Sequence, residues 1–268
     1  MLIGGRKFDI ENNCYVMGIL NVTPDSFYDG GRFDNIDIAL KRAEEMIKEG
    51  ADIIDIGGQS TRPNHIAINS DEEIKRTIPI IEKIKSEFDI PISLDTYDGV
   101  VAKAGIEAGI DLINDVWGLK YDEIMANVIA ESKLPCVLMH NRSNSNYHNF
   151  LDEVIEDISN MINHANRAGI EDDKIIIDVG VGFAKDYNQN LRIMNEMNRI
   201  RTLGYPLLLG ASRKSCIQKT LELEAKDCLE GTLATSVVAL VKGCSFVRVH
   251  DVKENMRAIK MAKAILDS

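Results

Sequence analysis

Asp178 closes the apolar run Ile175 to Ile177, and a glycine-rich turn, VGVGFAK, follows it to Lys185. A buried parallel strand that delivers a carboxylate to an open end has this form. The pattern recurs. Short apolar runs lead to Asn21, Asp55, Asp95, Asn114 and His140, and later ones lead to Lys214 and to the pair Arg248 and His250. These groups sort by chemistry. Asp95, Asn114 and Asp178 suit a nitrogen-rich heterocycle, because a carboxylate accepts two parallel N–H bonds and an amide reads a mixed edge. Lys214, Arg248 and His250 can supply positive charge to an anion. Arg248 and His250 stand just before a helix start at Asp251, where barrels often hold phosphate. The stretch SRKS, ending in Ser215, precedes another helix start, where backbone N–H groups and the Ser215 hydroxyl would favour a carboxylate.

Taken singly, several of these residues have plainer readings. Asp55 lies inside the apolar stretch ADIIDIGG and reads first as structural, and so does His140. His65, His148 and His164 read as solvated, Asp251 as a helix N-cap, and the cysteines as small core residues. Trp117 either stacks on a heterocycle or packs at a rim. The plain readings leave the joint pattern unexplained, since most strand ends carry polar groups that divide into a heterocycle set and an anion set.

The elements that must position these groups alternate along the chain. Strands are expected at Tyr15–Leu20, Asp52–Ile56, Pro91–Leu94, Leu112–Ile113, Cys136–Met139, Lys174–Ile177, Leu207–Leu209 and Phe246–Val249. Helices are expected between them: Ile36 to Glu49, one through Val100, Val101 and Ala104, Tyr121 to Ser132, a face from Phe150 to Ile162, Asn188 to Leu203, and Thr232 to Lys242. Ser70 and Glu73 form a capping-box pattern for a further helix, which Pro79 should kink or shift. Asp251 and Glu254 should cap the last one. Eight strand–helix units in 268 residues predict a single-domain (β/α)8 TIM barrel over 1–268, with an open doubly wound sheet as the alternative. No GxGxxG or GxxxxGK[ST] motif follows a strand, which counts against a nucleotide-binding sheet. Two long polar connections, Asn21 to Asn35 and Gly57 to Asn69, leave strand ends and read as lids.

Composition narrows the partners. A net charge of −11 disfavours a general nucleic-acid or anionic-membrane surface, and 45% hydrophobic residues suffice for a large core. The five cysteines are odd in number and lack CxxC spacing, so a reduced, cytoplasmic protein is expected. No apolar run is long enough to span a membrane, and MLIGGRKFDI has no signal-peptide core.

The motifs MGILNVTPDSFYDGGRF from Met17, GADIIDIGGQSTRP from Gly50, SLDTYDG, LINDVWG, MHNR, GASRKS and RVHDV occur in order. Over nearly its whole length the chain resembles the dihydropteroate synthases. The resemblance implies a transferase of folate biosynthesis and a sulfonamide target. It would join 6-hydroxymethyl-7,8-dihydropterin pyrophosphate to p-aminobenzoate, giving 7,8-dihydropteroate and pyrophosphate. It further implies that Asp95, Asn114, Asp178 and Lys214 bind the pterin, and that Asn21, Thr61, Arg248 and His250 bind pyrophosphate. Asn21 would also help hold Mg²⁺. Phe27, Arg62, Pro63, Lys214 and Ser215 would receive p-aminobenzoate, and Asp29 would complete the closed site. Asp95, Asp178, Lys214, Arg248 and His250 would be the catalytic set, in a homodimer. The chain departs from the family pattern at Val179, where proline is usual, at Cys216 and Gln218 in the usual Phe-Ile-Gly after SRKS, and at Asp227 and Cys228. Two other readings stay open: a related barrel that passes a methyl group from methyltetrahydrofolate to a corrinoid protein, and an idle paralogue that only binds pterin. NVTPDSF, SRKS and RVHD favour the synthase.

Overall fold

The structure is a computed structural model that describes residues 1–23, 32–59 and 68–268, with 32–35 as backbone only. Strands β1 (Leu2–Ile3) and β2 (Arg6–Lys7) form an antiparallel hairpin. Eight parallel strands then close into a barrel in sequence order: β3 (Tyr15–Asn21), β4 (Ile53–Gly57), β5 (Ile92–Asp95), β6 (Leu112–Asp115), β7 (Cys136–Met139), β8 (Ile175–Asp178), β9 (Leu207–Leu209) and β10 (Phe246–Val249). Between and after them run α1 (Arg32–Glu49), α2 (Ser70–Glu87), α3 (Gly99–Glu107), α4 (Met125–Ser132), α5 (Phe150–Ala168), α6 (Tyr187–Asn195), α7 (Met197–Arg201), α8 (Ser215–Leu221), α9 (Leu229–Val241) and α10 (Val252–Leu266). Among the described residues no helix is long and apolar enough to cross a membrane.

Side chains alternate across a strand, so each short run splits in two. One set, including Ile54, Ile56, Leu94, Ile113, Leu138, Ile177 and Val247, packs outward in the core beneath the helices. The other set points inward. Met17, Ile53, Leu112, Val137, Ile176, Leu208 and Phe246 form an apolar floor, which the hairpin residues Ile3 and Phe8 plug from below. Phe8 meets Tyr15 edge-on with ring centroids 4.7 Å apart. Two residues further along four of these strands, on the same inward face, stand Asp55, Asn114, Asp178 and Arg248. The barrel interior is thus apolar at the bottom and polar at the C-terminal mouth.

Several local expectations change. The N-cap of α2 is Asn69, whose side chain accepts from Glu72 N at 2.9 Å, rather than Ser70. Ser70 donates to Asp98 instead, and Glu73, the other half of the expected box, is buried and takes a bond from Gln59. Asn69 and Ser70 are both good caps, and the extended backbone at Asn69 settles between them. α2 runs through Pro79 with its start unshifted. Asp251 precedes α10 but makes no side-chain cap; its carboxylate accepts from Arg213. The single helix expected at Asn188–Leu203 is two, α6 and α7, meeting at Glu196. α4 starts later than expected, because the Asp122 carboxylate accepts from Gly99 N and Ile124 N and holds the preceding turn.

Candidate active site

Strand β10 brings Arg248 inward, and its guanidinium bridges two carboxylates. Nε donates to Asp55 Oδ2 and Nη2 to Asp95 Oδ2, each at 2.5 Å. Asn114 Nδ2 lies 3.4 Å from Asp55 Oδ2. Asp55 is fully buried and belongs to this layer: it anchors Arg248 rather than serving the strand alone. Three acceptors in the layer, Asp55 Oδ1, Asp95 Oδ1 and Ser93 Oγ, have no partner among the described residues. A buried acceptor left open costs free energy, so such atoms mark where a ligand or water donates. Burial pushes the Asp95 carboxyl up to about 7 against the pull of Arg248. The neighbouring carboxylates hold Arg248 in its charged form despite burial.

Across the mouth, β8 presents Asp178. Its Oδ1 accepts from Gly180 N at 2.8 Å. Gly180 has φ +70°, and a Cβ there would lie 2.0 Å from His140 O, so only glycine fits this turn. Lys214 reaches in from the loop after β9. Its Nζ donates to Val181 O and sits 4.7 Å from the centre of the Phe183 ring. Gly210 lies beside both groups: a Cβ there would stand in ordinary contact, 3.5 Å from Asp178 Oδ2 and 3.9 Å from Lys214 Nζ. Burial pulls Lys214 down to about 8, with Asp178 opposing, and pushes Asp178 up, with Lys214 opposing. Tyr97, Val116 and Met139, with Trp117 and Phe183 against them, form an apolar and aromatic cluster beside these groups. A flat heterocycle matches a surface of this kind faced by a few convergent polar groups.

The expected site residues fall into three groups. Asp95, Asn114, Asp178, Lys214 and Arg248 come together in the polar layer. Asn21, Ser215 and His250 stand at its rim. Asn21 pairs with Gly57, which pairs with Asp95, and this register sets the amide beside that carboxylate across a residue without a side chain. His250 Nδ1 lies 3.0 Å from Ser212 Oγ, and Arg42 donates to the His250 carbonyl. Ser215 opens α8 and is exposed. Phe27, Asp29, Thr61, Arg62 and Pro63, and also His65, lie outside the described residues.

The plain readings hold for His140, which is buried between Asp157 and Lys185, and for the five cysteines, all buried free thiols. His148 and His164 are exposed, and Trp117 packs in the cluster at the mouth. Where the chain departs from the family pattern, Val179, Cys216 and Cys228 are buried. Gln218 ties α8 back through a 2.9 Å bond to Arg213 O. Sequence reasoning passed over Ser93, Asp157 and Lys185 and read Asp55 as structural. Asp55 was findable, because it shares the parity of Ile53 on a strand of period two.

Among the described residues no group of three His, Cys, Asp or Glu could hold a metal ion. The neutral Asn21 oxygen alone is no cage. It fits an Mg²⁺ that arrives with phosphate oxygens and keeps its waters, which is how this ion binds in phosphoryl sites.

The chain matches the family model of pterin-binding enzymes over residues 17–250. It is 53% identical over 267 residues to the dihydropteroate synthase of Clostridium beijerinckii, covering 99% of each chain. A crystal structure of dihydropteroate synthase from Clostridium difficile, in the presence of pteroic acid, superposes with a TM-score of 0.95 at 48% identity, covering 98% of this chain and 100% of that one. The Xanthomonas albilineans enzyme with 4-aminobenzoic acid gives 0.95 at 35% identity, over 99% and 97%. With the barrel, the polar mouth and this similarity over the full length, the chain belongs to the dihydropteroate synthases, within the pterin-binding enzyme family.

Proposed function

We propose that the barrel mouth binds 6-hydroxymethyl-7,8-dihydropterin pyrophosphate and p-aminobenzoate and condenses them to 7,8-dihydropteroate, with release of pyrophosphate. The whole of 1–268 serves as one pterin-binding barrel domain. The observation that carries this reading is the buried layer of Asp95, Asn114 and Asp178, in which Asp95 Oδ1 has no partner among the described residues and Asp178 faces Lys214. Asp178 and Asp95 accept the N–H groups of the amino-pyrimidinone edge, and Asn114 reads its mixed part. Asn21, Thr61, Arg248 and His250 face the pyrophosphate. Ser215 and Lys214, with Phe27, Arg62 and Pro63, receive p-aminobenzoate, and Asp29 completes the closed mouth.

In the reaction the methylene carbon–oxygen bond breaks, and its electron pair leaves with pyrophosphate. The aminobenzoate nitrogen forms the new carbon–nitrogen bond and then loses a proton. Negative charge grows on the leaving group, where Arg248 lies, and positive charge spreads over the pterin, which the carboxylates stabilise. Bound Mg²⁺ would add its charge to that of the cations around the pyrophosphate, held on the protein side by Asn21. The path is dissociative, so the amine needs no strong general base. Scrambling of a labelled bridging oxygen, together with a secondary deuterium effect at the methylene, is the expected signature. Absence of both would exclude this path.

The enzyme acts as a homodimer in a reducing cytoplasm. The exposed apolar side chains Leu191, Leu221, Val238 and Val241 on α6, α8 and α9 support the first statement, and the five free thiols support the second. The deciding experiment is pyrophosphate release with and without p-aminobenzoate, and with Mg²⁺ or a chelator. Release that needs both and yields dihydropteroate is expected. Tight pterin binding without release would turn the reading toward an idle binding protein.

A further inference from the structure

The turn after β8 carries both halves of the proposed pterin grip. Gly180 N holds Asp178 Oδ1, Val181 O takes the Lys214 ammonium, and the Phe183 ring lies beneath that ammonium. The same turn is tied from behind by Lys185. Its Nζ donates to Gly180 O at 3.0 Å and to Phe183 O at 3.1 Å, and meets His140 Nδ1 at 2.8 Å. His140 Nε2 lies 3.0 Å from Asp157 Oδ2, which also accepts from Arg142 Nε. A carboxylate only accepts, so Nε2 carries the imidazole proton and Nδ1 offers its lone pair. Burial keeps this imidazole neutral, its pKa drawn down to about 4. Lys185 therefore faces three acceptors, one for each proton of an ammonium. Burial draws Lys185 itself down to about 7, with the Asp178 charge opposing; the three acceptors favour the ammonium form. The other charges that face it are Lys214 before α8, Lys120 after β6 and Asp157 on α5.

We propose that Lys185 is a positioning residue of the pterin pocket: its ammonium, oriented by the His140–Asp157 pair, sets the backbone from Gly180 to Phe183 and so places Asp178 and Lys214 on the substrate. This rests on the assignment of Asp178 and Lys214 to the pterin pocket. Lys185 acts through these groups and takes no part in bond making.

The test is Lys185→Met in the full chain, with Asp178→Asn and Lys214→Met made alongside. For Lys185→Met, kcat/KM for dihydropterin pyrophosphate falls at least tenfold, with a larger rise in KM for the pterin than for p-aminobenzoate. The alkaline limb of the kcat/KM profile moves to higher pH, because Lys214 loses a like-charged neighbour. A side chain that only packs the core would lower Tm and leave both KM values and the limb in place, and that result overturns the proposal. So does kcat/KM within twofold of the unsubstituted enzyme. Full activity in Asp178→Asn and Lys214→Met would instead remove the pocket assignment beneath it. Should Lys185→Met not be recovered folded, ¹⁵N-lysine labelling of the unsubstituted enzyme decides. A slowly exchanging ammonium resonance that shifts on adding dihydropteroate is expected at pH 6. Lysines all exchanging at the rate of free solution would refute the proposal.

Discussion

Arg248 shows why a buried charge must be judged together with its partners. Its guanidinium neutralises Asp55 and Asp95 inside the barrel. Removing one member of a buried ion pair strands the other, at a cost of about 3–5 kcal/mol. Arg248→Met should therefore lose about that much stability as well as activity. Adding Asp55→Asn and Asp95→Asn should return much of the stability and none of the activity. Urea unfolding of the single and triple variants measures this, and a triple variant no more stable than Arg248→Met would contradict it. His140 allows a pH prediction with a definite sign. Its folded pKa of about 4 lies below the ordinary 6.5, so the folded state binds fewer protons between those values. Its contribution to stability then grows as pH rises from 4 to 6.5 and is flat above, by about 3 kcal/mol in total. Asp95 and Glu73, both pushed up to about 7 by burial, act in the opposite direction as pH rises toward 7. The His140 share must be read as the difference between the unsubstituted protein and His140→Gln. That difference should widen with pH across the window, and a constant difference would show the imidazole is not held neutral.

At the scale of elements, strands and helices depend on a short period, and loops depend on one or two backbone positions. Gly180 is such a position, since φ +70° and the His140 carbonyl both exclude a side chain. Gly180→Ala should cost more than the ~1 kcal/mol of an ordinary glycine-to-alanine strain and should move Asp178 off its bond to the turn. Thermal unfolding and kcat/KM measured together test this; a small change in both would mean the turn relaxes freely. The same contrast explains what the sequence revealed. Runs such as Ile53–Ile56 and the face from Leu151 to Ile162 carry their period openly, so eight units and a barrel were legible. Asp95, Asn114, Asp178, Lys214 and Arg248 were legible as strand-end groups. The choice of Asn69 over Ser70 as cap was not, because both side chains can accept the same bond. Nor was the break at Glu196, where the apolar spacing continues across two helices. The pairing of Arg248 with Asp55, 193 positions apart, depends on barrel closure, which no local signal carries.

For the whole molecule, the barrel separates stability from chemistry along its axis. The floor is apolar and sealed by a hairpin too short to show a period, whose Ile3 and Phe8 pack on inward residues of seven strands. Ser245 Oγ ties the following segment by a 2.8 Å bond to Ile10 O. The mouth, built from the next inward layer, holds buried charged groups with acceptors that no described residue pairs, an arrangement that costs stability. Phe8→Ala should therefore lose about 3 kcal/mol through the cavity it leaves, with kcat/KM unchanged well below Tm. A ligand at the mouth stabilises only the folded state, by about 2.7 kcal/mol at a hundredfold excess over Kd. Because floor and mouth share no side chain, the two effects should add: dihydropteroate should stabilise Phe8→Ala by the same increment as the unsubstituted protein, and Asp178→Asn by far less. Unfolding of the three proteins with and without ligand measures this directly. An increment that shrank in Phe8→Ala would mean that the floor reaches the mouth through the strands, and that the hairpin belongs to the binding machinery.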